Sequence, residues 1–408
     1  MIILEKASRL SHSDEQRESG KQQVIDTIRA AGRIARIDIS TTTRVSPATV
    51  TAITAELIDV GLIEEIIPEA PRQDAKRGRP RVALKIRGDA HRIAGIKVSH
   101  GVISVVILDF EGNDIVDHEL PLTRGRMPVE DLCKTIMVAL GQACDKGGFD
   151  VSTISGMGVG MAGMVDAKRN FVYWSSSLVE RNVDFGTHLA QHAPCPIFID
   201  NDANLVAKAE HLFGKGRNVS NFVVITIEHG VGMGIVIDNQ IYRGTRGCGA
   251  EFGHTKVQLE GALCQCGQRG CLEAYVGDYA LLREANITNG GAGHRDLGQL
   301  VEAAKSGDQM AGSIFDRAGR MFAMGLANVV NIFDPKLIIL SGARLSFDYL
   351  YSDQVIEEMQ RWVVQIDAPP PKVRVHNWGD LMWAKGAAAY AIEEVSALAI
   401  RELAAGDT

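Results

Sequence analysis

Residues 251–275 read EFGHTKVQLEGALCQCGQRGCLEAY. Within the eighteen residues from His254 to Cys271 the chain offers one imidazole and three thiols, on His254, Cys264, Cys266 and Cys271. Glycines between them let the backbone fold back on itself. One nitrogen and three sulfur ligands, with no position left open, form the donor set of a structural tetrahedral zinc site. Cys264-Gln265-Cys266-Gly267 and Gly270-Cys271-Leu272-Glu273 are turn-like segments, unlike the apolar surroundings of core cysteines. The other four, Cys133, Cys144, Cys195 and Cys248, lack such company and read as buried thiols.

Working outward, residues 230–254 are rich in glycine, GVGMGIVIDNQIYRGTRGCGAEFGH. The region alternates apolar strand runs (Ile154–Met161, Ile197–Asp200, Asn221–Ile227) with helix-period segments (Val129–Gly147, Ala203–Phe213), which is an α/β texture. IAGIKVSHGVISVVILDFEG reads as two strands and a turn, KLIILSGA as a second buried run, and a helix near Ala384–Leu398 closes the chain. At 408 residues the polypeptide is long enough for two or three domains. Its net charge of −7 excludes a polycation that coats nucleic acid, so any nucleic-acid contact must come from a local basic patch. The opening MIILEKASRL is too short in apolar residues for a signal-peptide core, and no stretch approaches a membrane span. A cytoplasmic protein with reduced cysteines is the expectation.

Such a patch lies near the N-terminus. In ARIDISTTTRVSPATVTAITAELIDVGLIEE, residues 35–65, a helix from about Arg36 to Arg44 stops at Val45, and Ser46-Pro47 starts another. Serine suits the N-cap, and proline suits the first helical position because its missing N–H would be unpaired there. Val50, Ile53, Leu57 and Val60 fall on one face, while Ala48, Thr51, Ala52 and Ala55 leave the other small enough to enter a major groove. Seven Lys/Arg and one Asp follow between Arg72 and Arg87, as expected of a β-wing whose Arg77-Gly78-Arg79 turn faces phosphates or a narrow minor groove. Candidate DNA contacts are Arg36, Ser46, Pro47, Ala48, Thr49, Thr51, Ala52, Arg77, Gly78 and Arg79.

The zinc-type cluster, the preceding Glu251-Phe252-Gly253-His254 and the glycine run resemble the ROK family (repressors, open reading frames and sugar kinases). With the winged head, the chain is similar to the family's repressor branch. The resemblance covers residues 19–400 and implies a two-lobed actin-like, hexokinase-type fold with sugar in the interdomain cleft, in a homodimer or homotetramer. It implies that Asn201 binds sugar, that Asp202 stands where kinases keep their base, and that Glu251 and Glu273 grip sugar hydroxyls. His254 would ligate zinc through one nitrogen and touch sugar with the other. Gly163 would supply the turn beside the sugar, and Ser176 is a further candidate. Carboxylates and an amide suit paired hydroxyls independently of the family, although Asp202 could cap, and Glu273 could start, an ordinary helix.

The kinases open their body with Asp-x-Gly-Gly-Thr, whose backbone cradles phosphate. Here Lys97 stands in place of the Asp, and Ser99-His100 in place of the glycine pair. Before the second Gly-x-Gly, Glu228-His229 replaces a small residue and a hydroxyl, and a carboxylate there repels polyphosphate. The expectation is a sugar-responsive regulator of operator DNA, with a free sugar or sugar phosphate as effector and one structural zinc per chain. The alternative is an ATP-dependent sugar kinase with an appended DNA-binding domain. The expected organisation is an arm at 1–18, a winged helix-turn-helix at 19–88, a first α/β lobe at 89–205 plus 385–408, and a second at 206–384.

Overall fold

The computed structural model describes residues 12–66, 82–99, 101–227, 230–288, 296–342, 350, 352–377, 379 and 381–406. The wing tip with Arg77, Gly78 and Arg79, and the loop residues His100, Glu228 and His229, lie outside the described residues. The chain divides into two units, residues 1–159, 185–199 and 387–408, and residues 160–184 and 200–386.

The first unit begins with the head: α1 (His12–Ala31), β1 (Ile34–Ala35), α2 (Arg36–Thr43), α3 (Pro47–Asp59), β2 (Ile63–Ile66) and β3 (Ala83–Ile86). Helix α1 therefore starts inside the stretch expected as an arm. Arg44, at φ 59°, terminates α2, and Ser46 caps α3 by accepting from the Thr49 N–H at 3.2 Å. Val24, Ile25 and Ile28 of α1, Ile39 of α2, and Val50, Ile53 and Leu57 of α3 are all buried where these three helices pack together. Val60 departs from the expected face and is 44% exposed, because α3 ends at Asp59 and Gly61 turns the chain away at φ 74°. The antiparallel sheet β1-β3-β2 is the wing, with Ile63 opposite Ile86 and Ile34 opposite Leu84.

The rest of this unit is built on β4 (Arg92–Val98), β5 (Val102–Asp109), β6 (Asp114–Pro121), α4 (Val129–Gly147), β7 (Ile154–Met161), α5 (Phe185–Ala190) and β10 (Ile197–Asn201), with α12 (Met382–Gly406) at the C-terminus. Its strands are ordered β10-β7-β4-β5-β6. The head is counted with this unit for a visible reason. The fully buried guanidinium of Arg29 in α1 donates to the Phe110 carbonyl and, at 3.3 Å, to Ser396 Oγ of α12, and lies over the Phe110 ring.

The second unit holds the hairpin β8 (Gly163–Asp166) and β9 (Phe171–Ser175), then α6 (Asp202–Leu212), β11 (Phe222–Ile227), β12 (Val231–Ile237) and β13 (Gln240–Ile241). There follow α7 (Glu273–Val276), α8 (Asp278–Thr288), α9 (Leu297–Lys305), α10 (Gln309–Phe333), β14 (Leu337–Ser341), α11 (Asp353–Trp362) and β15 (Lys372–Val375). The hairpin joins this unit, not the first lobe expected to reach residue 205, because the Asn201 side chain bonds the Gly163 carbonyl. The sheet order is β13-β12-β11-β14-β15, with β11, β14 and β15 parallel. Both sheets thus put an antiparallel three-strand meander beside two later strands, so the two units share one topology. The glycine run serves packing: a Cβ at Gly234 would stand 2.6 Å from the Ala203 carbonyl, so glycine lets α6 lie directly on β12.

Candidate metal and sugar sites

The loop after β13 brings the four expected ligands together, with all their donor atoms within 4.8 Å of one another. His254 Nδ1 lies 3.6 Å from Cys264 Sγ, and Cys266 Sγ lies 3.7 Å from Cys271 Sγ. A tetrahedron with zinc–sulfur bonds of ~2.3 Å has edges of about 3.8 Å, so the donor set fits zinc in kind and in spacing. Backbone bonds Cys264 N–H to Gln268 O (2.8 Å) and Gly267 N–H to Cys264 O (3.0 Å) fix the turn between ligands. The Lys256 ammonium donates to Cys271 Sγ at 3.1 Å and offsets thiolate charge. Nδ1 of His254 faces the sulfurs, which leaves Nε2 as the nitrogen for a second partner.

Of the other cysteines, Cys133 and Cys144 are buried as expected, and desolvation pushes their thiols up to about 12 and about 11. Cys195 and Cys248 are instead partly exposed, since each sits in a loop and not on a core face.

The sugar-type residues occupy the same unit. Asn201 caps α6: its Oδ1 accepts from the Ala203 N–H at 2.9 Å and its Nδ2 donates to Gly163 O at 2.8 Å. Asp202 is the first residue of α6, where its charge suits the helix N-terminus. Gly163 has φ 138°, and a Cβ there would come 2.2 Å from Trp174 O, so only glycine admits the pass of β9. Ser176 is half-buried in the turn after β9.

Glu273 is buried at the start of α7, accepting from the Val231 N–H (3.2 Å) and the Tyr279 hydroxyl (3.3 Å). Glu251 is open to solvent, yet protein crowds its carboxyl. Desolvation, then repulsion from Asp202 and Glu273, pushes it up to about 7. The site is therefore a set of acceptors with one carboxyl that titrates near neutrality, suited to hydroxyl donors.

Sequence reasoning missed Tyr279, whose hydroxyl bonds both Glu273 and Cys264 Sγ (3.6 Å) and so ties the metal loop to the sugar-type carboxylate. It also missed Arg243, which pairs with buried Asp200. A tyrosine six residues beyond Glu273 carries no pattern of its own, so only the fold reveals it.

In the head, Ser46, Pro47, Ala48, Thr49, Thr51 and Ala52 all lie on the exposed face of α3 and its cap. Arg36 is engaged within the head, its Nε donating to Thr54 Oγ1 (2.9 Å) and its Nη2 pairing with Glu65 (2.8 Å). Lys21, 1% exposed, pairs with Glu56 of α3 at 2.6 Å and clamps the helix from behind. In the first unit, Lys97 is buried on β4. Among the described residues no helix is long and apolar enough to cross a membrane.

The ROK family model matches residues 93–394, and the chain belongs to the ROK family. It is 28% identical over 352 residues to the xylose repressor of Caldicellulosiruptor bescii, covering 84% of this chain and 87% of that protein. The crystal structure of a ROK family transcriptional regulator, a homologue of the Escherichia coli Mlc protein, matches with TM-score 0.79 at 24% identity, over 95% of this chain and 99% of that one. A ROK glucokinase from Streptomyces griseus, solved with glucose and AMPPNP, matches with TM-score 0.63 at 29% identity, over 74% of this chain and 99% of its own. The fold is thus a winged helix-turn-helix followed by two α/β lobes of the sugar-kinase type.

Proposed function

We propose that this protein is a sugar-responsive DNA-binding transcriptional regulator, a repressor of genes for carbohydrate uptake or catabolism. The observation that carries the reading is the union on one chain of a winged head with small side chains on its exposed helix face and a retained set of sugar-type acceptors, Asn201, Asp202, Glu251 and Glu273. It acts in the cytoplasm on double-stranded operator DNA, as a homodimer or homotetramer. Thr49, Thr51 and the small residues of α3 face the major groove, and the Arg77-Gly78-Arg79 wing follows the backbone or minor groove.

His254, Cys264, Cys266 and Cys271 hold a zinc ion, which supplies structure only: four protein ligands leave it no open position. Glu251 and Glu273 accept hydrogen bonds from the hydroxyls of a pyranose, Asn201 orients it, and the second nitrogen of His254 adds a contact. The effector acts through its difference in affinity between DNA-competent and incompetent states. Asp202 binds sugar and transfers no proton, because Lys97 replaces the acidic residue of the kinase phosphate loop and Glu228 repels a polyphosphate. A thermal-shift screen against hexoses, N-acetylhexosamines, xylose and their phosphates tests the reading, since a ligand of the native state raises apparent stability. Operator binding with and without the hit follows. A panel with no hit, or a hit that leaves operator affinity unchanged, refutes the sensor.

The retained Asp202 at the head of α6 favours one second reading, a sugar kinase with an appended head. Turnover of the same panel with Mg-ATP at ordinary kinase rates would establish that reading in its place.

A further inference from the structure

The residues assigned to sugar binding come from separate segments of the second unit, and something must hold these in register. Asp200 precedes Asn201, is fully buried, and has both carboxylate oxygens engaged. Its Oδ1 accepts from the Asn201 N–H at 2.7 Å and from Asn204 Nδ2 at 3.0 Å. Its Oδ2 accepts from Nε and Nη2 of Arg243, both at 2.7 Å. Arg243 lies beyond β13 and opens the loop that delivers Glu251. Its carbonyl accepts from the Gly249 N–H at 2.9 Å, so the loop is closed on this residue. Ala250 then turns at φ 69° and Glu251 follows.

We infer that Arg243 is a positioning residue for sugar binding: its ion pair with Asp200 holds the Glu251 loop against the start of α6, which presents Asn201 and Asp202. The inference rests on the sugar-sensor reading of this site. A charge pair fits the task. Asp200 is wholly removed from water, so its charge demands a partner of fixed geometry, and the planar guanidinium supplies two donors from one side. A pair set there transmits position in both directions: it orders the backbone N–H at Asn201 and the loop five residues beyond Gly244. The charged groups that act on Glu251 are Asp202 from α6 and Glu273 from α7. Repulsion among these carboxylates favours moving the loop outward, and the Arg243 tether opposes that displacement.

The test uses the full-length, zinc-loaded protein. Removing Arg243 alone leaves a buried carboxylate without compensation and can unfold the unit. Two variants avoid this: Arg243→Lys, which keeps the charge but loses the fork, and the double variant Asp200→Asn with Arg243→Gln, which is neutral and near-isosteric. Calorimetric titration with glucose, xylose and N-acetylglucosamine should show about tenfold weaker binding in the double variant, with the lysine variant intermediate. Hydrogen exchange without sugar should accelerate at residues 244–253 and at Asn201 and the first turn of α6, and not elsewhere in the unit. Wild-type affinity in the double variant, or unchanged exchange in this loop, overturns the inference. If the wild type binds none of the three sugars, the sensor reading fails for them, while the exchange measurement still decides whether Arg243 holds the loop.

Discussion

If Glu251 grips the sugar as proposed, the ligand response depends on pH in a direction its surroundings set. Desolvation first, then the charges of Asp202 and Glu273, raise its pKa from 4.5 to about 7. A carboxylate accepts hydrogen bonds from hydroxyls, and a neutral carboxyl is a weaker acceptor, so a bound sugar would favour the ionised form. At about pH 5 a group titrating near 7 is about 99% protonated, which would weaken binding by at most about 100-fold. Glu251 is open to solvent, and water screens part of that effect, so we expect about tenfold between about pH 5 and 8. For the ligand-free fold the sign is opposite. A carboxyl raised in the native state contributes stability present in full below about 4.5 and lost as pH rises through about 7. The sugar-induced rise in melting temperature should therefore grow with pH. Calorimetric titration at several pH values measures the affinity, and Glu251→Gln should bind weakly with a flat profile. Wild-type affinity that is constant, or that falls with rising pH, refutes the assignment of Glu251 as an acceptor.

Two further outcomes test the remaining parts. Cys266→Ser should lower metal content from one zinc per chain and weaken sugar binding about tenfold or more, as read by elemental analysis and titration; full sugar affinity without metal would refute the coupling through the loop. Arg77→Ala with Arg79→Ala should weaken operator binding and lower the slope of log affinity against log salt by about two, since each lost phosphate contact removes nearly one unit.

Several features were legible because they are local. The Ser46-Pro47 start of α3, the Cys/His spacing and the strand runs around Ile96, Val159 and Ile339 each depend on near neighbours in sequence, and each element formed close to its expected limits. What the sequence concealed is long-range. The two sheets share an order of strands but no repeated residues, so topology emerges only from pairing. Arg36 reads as a free basic residue until Glu65 and Thr54 arrive beside it from other elements. Arg243 and Asp200 are separated by 43 positions, and only the fold makes them partners. The β8–β9 hairpin precedes β10 in sequence yet belongs with the sugar-type residues, because Asn201 binds its Gly163 carbonyl.

The junction between head and body constrains how a signal reaches DNA. Arg29 of α1 has no exposed surface to speak of, and burial lowers its pKa to about 10 even with Asp26 and Glu111 nearby. Pulling the head away would strip a cation of its bonds to Phe110 and Ser396 and open the ring contact at 4.7 Å. Giving up two charge-assisted hydrogen bonds and a cation–π contact for water costs roughly 2–4 kcal/mol. On this account the head should move with β5 and α12 as one body, and an effector should act by displacing that body rather than by releasing the head from it. Arg29→Met keeps apolar length but loses the donors. Without sugar the variant should retain operator affinity, because α3 and the wing are untouched, whereas the change in affinity on adding sugar should shrink several-fold. Operator titrations with and without sugar measure both quantities. A variant with the full wild-type sugar response would show that the signal bypasses this junction, and the rigid-body account would fall.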